Sequence, residues 1–194
     1  MAKTALLTVG STQFSPLVAA FLSREVISNL DSHLGITTVQ AQIGESALPQ
    51  GWQLGRQTID RVEVDVYRFA WDLEAKVGEA DLVVSHAGAG SILSFLRPLN
   101  STSAKPPRPL CSARQLILVP NSTLMDSHQS DLADELEQKG WAIVCRNPAH
   151  LCTTIKALPN HARDEQAPAG SRQEYPPLDK ARVQRILDDT LGYA

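Results

Sequence analysis

Two short stretches of small and hydroxylated residues stand where an apolar run gives way to a helical pattern. Gly10-Ser11-Thr12 follows Ala5-Leu6-Leu7-Thr8-Val9, and Ser85-His86-Ala87-Gly88-Ala89-Gly90-Ser91 follows Asp81-Leu82-Val83-Val84. Small residues let a ligand approach the backbone closely. A helix N-terminus directs free N–H groups and a partial positive charge outward, so each stretch reads as a site for an anion, most often a phosphate. On this reading Gly88→Val blocks the approach of the ligand to the backbone.

Each stretch also has a plainer reading. Gly88 and Gly90 suit a tight strand-to-helix turn, and Ser15-Pro16 after Gly10-Ser11-Thr12 suits an ordinary helix start. His86 is able to donate to a phosphate or a sugar hydroxyl, or to bond within its own turn. The dinucleotide fingerprint is incomplete, because position 93 is leucine and no acidic residue ends the following strand. A third stretch, Asn121-Ser-Thr-Leu-Met-Asp-Ser-His128-Gln129, follows Leu116-Ile-Leu-Val119. Gln129 there offers both a donor and an acceptor to sugar hydroxyls. No carboxylate pair, nucleophile–base pair or metal-ligand cluster stands out, and Cys111, Cys145 and Cys152 lack metal-ligand spacing. No metal and no cofactor is expected.

The elements that position these residues are legible in the hydrophobic pattern. Strands are predicted at about 4–9, 36–41, 62–67, 81–85, 115–119 and 141–145, with helices at about 16–31, 70–79, 90–97, 127–139 and 148–158. Short continuous apolar runs such as Leu82-Val83-Val84 suit strands covered on both faces. The alternation predicts an α/β fold, a doubly wound, mostly parallel Rossmann-like sheet whose ligands bind at the carboxyl ends of the strands. All three stretches belong to that end.

Residues 1–158 form one expected Rossmann-like ligand-binding domain. It is interrupted at 98–114 by a proline-rich inserted loop, longer than the usual connection of about 2–6 residues. Arg97, Lys105, Arg108 and Arg114 lie in or beside this loop, where they face solvent or an anionic lipid surface. Residues 159–177 read as a flexible linker, and 178–194 as a C-terminal helix, with Leu178, Val183, Ile186, Leu187 and Leu191 at helical spacing. That helix packs on its own domain or on a partner.

The chain has 194 residues, 43% of them hydrophobic, which is enough for one cored domain. Its net charge of -3 gives no reason to expect nucleic acid as a partner. Three cysteines fit a reducing compartment. The apolar run at the start is too short for a signal peptide, and no run of about 18 apolar residues predicts a membrane span.

Taken together, Val9-Gly-Ser-Thr12, Ser85-His-Ala-Gly-Ala-Gly-Ser-Ile-Leu93 and Leu124-Met-Asp-Ser-His-Gln129 resemble the cytosolic subunit of the eukaryotic UDP-N-acetylglucosamine transferase that elongates N-acetylglucosaminyl-diphosphodolichol. That family is similar to the C-terminal half of the bacterial transferase that forms lipid II, a GT-B enzyme. The resemblance covers about residues 4–158. It implies an inverting glycosyltransferase that holds UDP-GlcNAc and adds the second GlcNAc to the lipid-linked acceptor. It also implies a heterodimer with a membrane-anchored subunit that supplies the acceptor half, which places the chain on the cytosolic face of the endoplasmic reticulum. In that scheme Gly10, Ser11, Thr12, Gly88, Ala89, Gly90 and Ser91 surround the diphosphate and uridine. His128 and Gln129 read the sugar, Asn121 opens the loop before them, and His86 is the catalytic candidate. The chain departs from the family pattern at Ser94, where an acidic residue usually binds ribose. The alternatives are a nucleotide-sugar-binding regulatory module without activity of its own, and a nucleotide-sugar epimerase.

Overall fold

Among the described residues, the six predicted strands and one further strand form a single seven-stranded sheet. They are β1 (Lys3–Thr8), β2 (Ile36–Gln42), β3 (Gly55–Ile59), β4 (Val62–Tyr67), β5 (Leu82–Ser85), β6 (Gln115–Leu118) and β7 (Ile143–Val144). This computed structural model describes residues 3–96, 114–121 and 128–159. The strand order is β3-β4-β2-β1-β5-β6-β7. Every described pairing is parallel except β3 with β4. After β1 the chain winds outward through β2 to β4, then returns to place β5 on the other side of β1. The order therefore reverses between β1 and β5, and doubly wound folds open their ligand crevice at such a point.

Among the described residues six helices cover the sheet: α1 (Ser15–Phe21), α2 (Arg24–Leu34), α3 (Leu73–Glu79), α4 (Ala89–Leu96), α5 (His128–Gln138) and α6 (Leu151–Lys156), the last preceded by a 3-10 turn at Pro148–His150. Alternate strand residues feed two cores. Leu7, Val84 and Ile117 pack with Leu17, Phe21, Ile27, Leu30 and Ile155 on the face of α1, α2 and α6. Leu6, Val83 and Leu116 pack with Val77, Ile92, Phe95 and Leu136 on the face of α3, α4 and α5. Burial on both faces is why these strands carry unbroken apolar runs.

Two elements depart from the sequence expectation. The single helix expected at 16–31 is two helices, because Ser23 is extended (ψ 144°) and its hydroxyl accepts from the Val26 amide at 3.3 Å as the cap of α2. Strand β3 is a further strand, a polar edge joined to β4 through Asp60 and Arg61. Its sequence, Gly-Arg-Gln-Thr-Ile, has no apolar alternation because an edge strand faces water.

The expected exposure of Arg114, to solvent or to an anionic lipid surface, does not hold. Its side chain is buried, and it donates to the carbonyls of Ala80 (2.9 Å), Val77 (2.7 Å) and Phe95 (3.4 Å). It also lies over the Phe95 ring at 4.3 Å. Arg97, Lys105, Arg108 and the rest of the inserted loop lie outside the described residues, as do the linker beyond Pro159 and the C-terminal segment 178–194. Among the described residues no helix is long and apolar enough to cross a membrane.

Candidate functional site

The parallel strands end on one edge of the sheet, and the first two chemistry-bearing stretches meet there. Thr8 and Ser85 are register partners at the ends of β1 and β5. One residue further, the His86 amide donates to the Thr8 carbonyl at 3.2 Å, and its Nδ1 lies 3.3 Å from the same oxygen. A carbonyl only accepts, so Nδ1 carries the proton and Nε2 is the acceptor nitrogen. His86 is 6% exposed. Burial pushes its pKa below the usual histidine value, and the bond to Thr8 opposes this in part.

The His86 ring fills the gap between the two glycine turns. A β-carbon at Gly10 (φ +61°) would stand 3.0 Å from its Cε1, and one at Gly88 would stand 2.6 Å from Cε1 and closer still to Nε2. Gly88 is thus required by the histidine beneath it, so a side chain there also displaces His86, whatever it does to a ligand. Gly90 differs, since a β-carbon there would meet nothing within 4 Å. The α4 helix begins at this point, with the Ile92 amide bonded to the Gly88 carbonyl at 3.1 Å. Ala89 and Gly90 are exposed and Ser91 is half-buried. The first turn of α4 therefore opens to the rim with the polarity that favours an anion.

The Gly10–Thr12 turn is built differently from the expectation. The Thr12 amide and hydroxyl both donate to the Val9 carbonyl, at 3.2 and 2.7 Å. The Gly10 amide is taken by Gln42 Oε1 at 2.9 Å. These two amides are committed inside the protein, and the turn presents the exposed Ser11. Nor does Ser15 cap α1. The cap position is Phe14, without a side-chain bond, and Ser15 Oγ accepts from the Ala47 amide at 3.0 Å.

Residues that sequence reasoning missed hold this turn in place. Gln42 is 1% exposed. Gly44 (φ +52°) brings its loop so near the turn that a β-carbon would lie 2.6 Å from the Thr12 carbonyl oxygen and 2.8 Å from that of Gly10. The Arg68 guanidinium donates to the carbonyls of Gly44 (3.0 Å) and Ser46 (3.3 Å). Ser46 Oγ accepts from the Phe14 amide at 2.8 Å. A glycine two residues beyond β2 was the one available signal, for a third turn on the same edge, and the partners of Gln42 left none.

The remaining predicted residues have these places. Asn121 is buried at the end of β6, and its carboxamide donates to the Gln13 carbonyl at 3.4 Å, which ties the third stretch to the first. Ser94 Oγ donates back to the Gly90 carbonyl at 2.9 Å within α4. His128 and Gln129 open α5, and their side chains lie outside the description. A crossover helix between parallel strands runs back from their carboxyl ends, so the start of α5 belongs to the same edge. Ser85 Oγ is buried in the floor without a hydrogen-bond partner. Among the described residues no group of three His, Cys, Asp or Glu side chains is arranged to hold a metal ion.

Comparison with known proteins adds to this geometry. Residues 4–98 match the model of the glycosyltransferase family 28 C-terminal domain. The UDP-N-acetylglucosamine transferase subunit ALG13 of Cryptococcus neoformans is 33% identical over 217 aligned residues, covering 98% of this chain and 97% of that protein. An NMR solution structure of ALG13 superposes with a TM-score of 0.55 at 24% identity, covering 100% of this chain and 98% of that one. The crystal structure of Acinetobacter baumannii MurG gives 0.52 at 16% identity over 80% of this chain and 40% of that one. The two structural likenesses show a shared fold, in agreement with the doubly wound sheet.

Proposed function

The chain belongs to the ALG13 family of UDP-N-acetylglucosamine transferase subunits, and on that basis we propose that it is the donor-binding half of a two-subunit, inverting transferase. The donor is UDP-GlcNAc, and the acceptor is the lipid-linked GlcNAc of the dolichol pathway. A membrane-anchored subunit supplies the acceptor half and holds this chain at the cytosolic face of the endoplasmic reticulum. One observation carries the reading: the Gly10–Thr12 and Gly88–Ser91 turns come together at the point where the strand order reverses, over one buried histidine.

In this reading the first turn of α4 receives the diphosphate, through the amides and hydroxyl of Ala89, Gly90 and Ser91. Ser11 faces it from the opposite wall. Gly10, Thr12 and Asn121 shape the walls, His128 and Gln129 read the sugar, and Ser94 stands near the ribose. The acceptor 4-hydroxyl attacks C1 of GlcNAc from the side opposite UDP. The C1–O bond to the diphosphate breaks, UDP leaves with the electron pair, and the configuration inverts. The helix N-terminus stabilises the charge that develops on UDP. The hydroxyl proton passes to a base. Burial under both turns suits His86 to the floor of the donor cradle, and the reading assigns the base to the acceptor half.

The test is to titrate UDP-GlcNAc into the full chain, free and joined to its partner, and to follow amide shifts at residues 10–12, 86–91 and 128–129 together with transfer to a lipid-linked acceptor. Shifts confined to those residues, with transfer only in the complex, are expected. Donor-independent spectra from both preparations sink the proposal. Binding without transfer in the complex favours the regulatory module instead.

A further inference from the structure

We infer that Gln42 is a positioning residue for the nucleotide-sugar site, holding the Gly10–Thr12 turn in the shape that the donor meets. The inference rests on the proposed donor site and goes beyond it, because Gln42 is 1% exposed and lies beneath the turn rather than on its open side. It lies at the end of β2, next to β1, and pairs in register with Thr8.

Its carboxamide is committed at both ends. Oε1 accepts from Thr8 Oγ1 (2.8 Å), the Val9 amide (3.2 Å) and the Gly10 amide (2.9 Å). Nε2 donates to the carbonyls of Gly10 (2.7 Å) and Arg68 (2.6 Å). One side chain thus grips both the N–H and the C=O of Gly10, the residue whose positive φ turns the chain. A buried carboxamide is costly to desolvate unless its bonds are all made, and an apolar side chain of similar shape serves a core better. A fully bonded one gives a single geometry in return.

The grip extends across three strands. Arg68, whose carbonyl takes one Nε2 bond at the end of β4, sends its guanidinium to Gly44 and Ser46, and Ser46 holds the Phe14 amide. A circuit of hydrogen bonds therefore surrounds the turn from β1, β2 and β4. It also decides what the turn offers. With the amide and carbonyl of Gly10 held from below, Ser11 is left to face the ligand. The ionisable groups around Gln42 are Arg68, directed at those two loop carbonyls, and His86, which reaches the Thr8 carbonyl from β5.

Gln42→Glu separates positioning from packing. The glutamate keeps the shape and the acceptor that faces Thr8 and Gly10. Its second oxygen meets the carbonyls of Gly10 and Arg68, both acceptors, and needs a proton to fit, which raises its pKa. In the complex with the acceptor subunit, we expect the KM for UDP-GlcNAc to rise about tenfold near pH 8.5 and to fall back toward the wild-type value near pH 6.5, with kcat within about twofold. Gln42→Met raises KM at every pH. A loss of stability with KM unchanged in both variants overturns the inference.

If neither variant folds, the wild-type chain decides by hydrogen exchange. The Gly10 amide is expected to be protected before donor is added, with Ser11 carrying the shift on donor binding. Unprotected Gly10 in the free chain overturns the inference. Wild type that fails to bind UDP-GlcNAc defeats the donor site itself, whereas wild-type binding matched by both variants defeats only the role of Gln42.

Discussion

The imidazole of His86 occupies the space that a side chain at Gly88 would need: a β-carbon there would lie 2.6 Å from Cε1. The two residues form one device. The glycine admits the ring, and the ring, bonded to the Thr8 carbonyl, joins the second turn to the strand that carries the first.

Gly88→Ala displaces His86 or shifts the turn, so it is expected to destabilise the chain by about 1–3 kcal/mol, the usual cost of overpacking, and to lower donor affinity. Gly90→Ala sits in open space in the first turn of α4. It is expected to leave stability unchanged or raise it by up to about 1 kcal/mol through helix propensity, while weakening UDP-GlcNAc binding where the diphosphate approaches the backbone. Urea unfolding and donor titration of both variants check this. Equal stability losses would contradict the geometry.

The buried, neutral His86 makes stability depend on pH. Its folded pKa is depressed, so below the unfolded value of about 6.5 the unfolded chain binds the extra proton. The contribution of this group is present in full above about pH 6.5 and is lost as pH falls toward and through the folded pKa. Urea midpoints measured from about pH 8 down to about pH 5 are expected to fall in acid, with a smaller fall for His86→Asn. Identical slopes for the two proteins would remove His86 as the cause.

Ser85 Oγ has no hydrogen-bond partner although it is buried. Removing an unsatisfied buried hydroxyl leaves no bond to lose. Ser85→Ala is expected to be neutral or to stabilise by about 1 kcal/mol, read as a shift of the thermal midpoint. A clear loss would reveal a partner for the hydroxyl.

Arg114 gathers three carbonyls from the ends of α3 and α4 with one planar guanidinium. Lysine cannot reproduce that fork, and carbonyls left without a donor cost about 1–3 kcal/mol. Arg114→Lys is therefore expected to lower stability by that amount while leaving attachment to anionic vesicles unchanged. Weaker vesicle binding at undiminished stability would restore a surface role.

Local chemistry made much of this protein readable from its residues. The unbroken runs at Leu82–Val84 and Leu116–Val119 announce strands buried on both faces, because only such strands lack a polar face. Glycine and serine clusters directly after them mark turns on the carboxyl edge, and their motifs carry the family likeness. Elements without such a signal stayed hidden. The polar edge strand β3 has no apolar alternation, and Ser23 interrupts a helical pattern that continues through it.

The tertiary structure alone decided how the turns meet. Strand order places β1 beside β5, so Gly10 and Gly88, 78 positions apart in the chain, share one histidine. Gln42 reads as one more polar residue in a strand until register sets it against Thr8, and Gly44 reads as a loop glycine until its backbone lies on Thr12. Hydrogen bonds and steric contacts between distant residues leave no periodic trace in the chain, because each depends on positions that only strand pairing brings within reach.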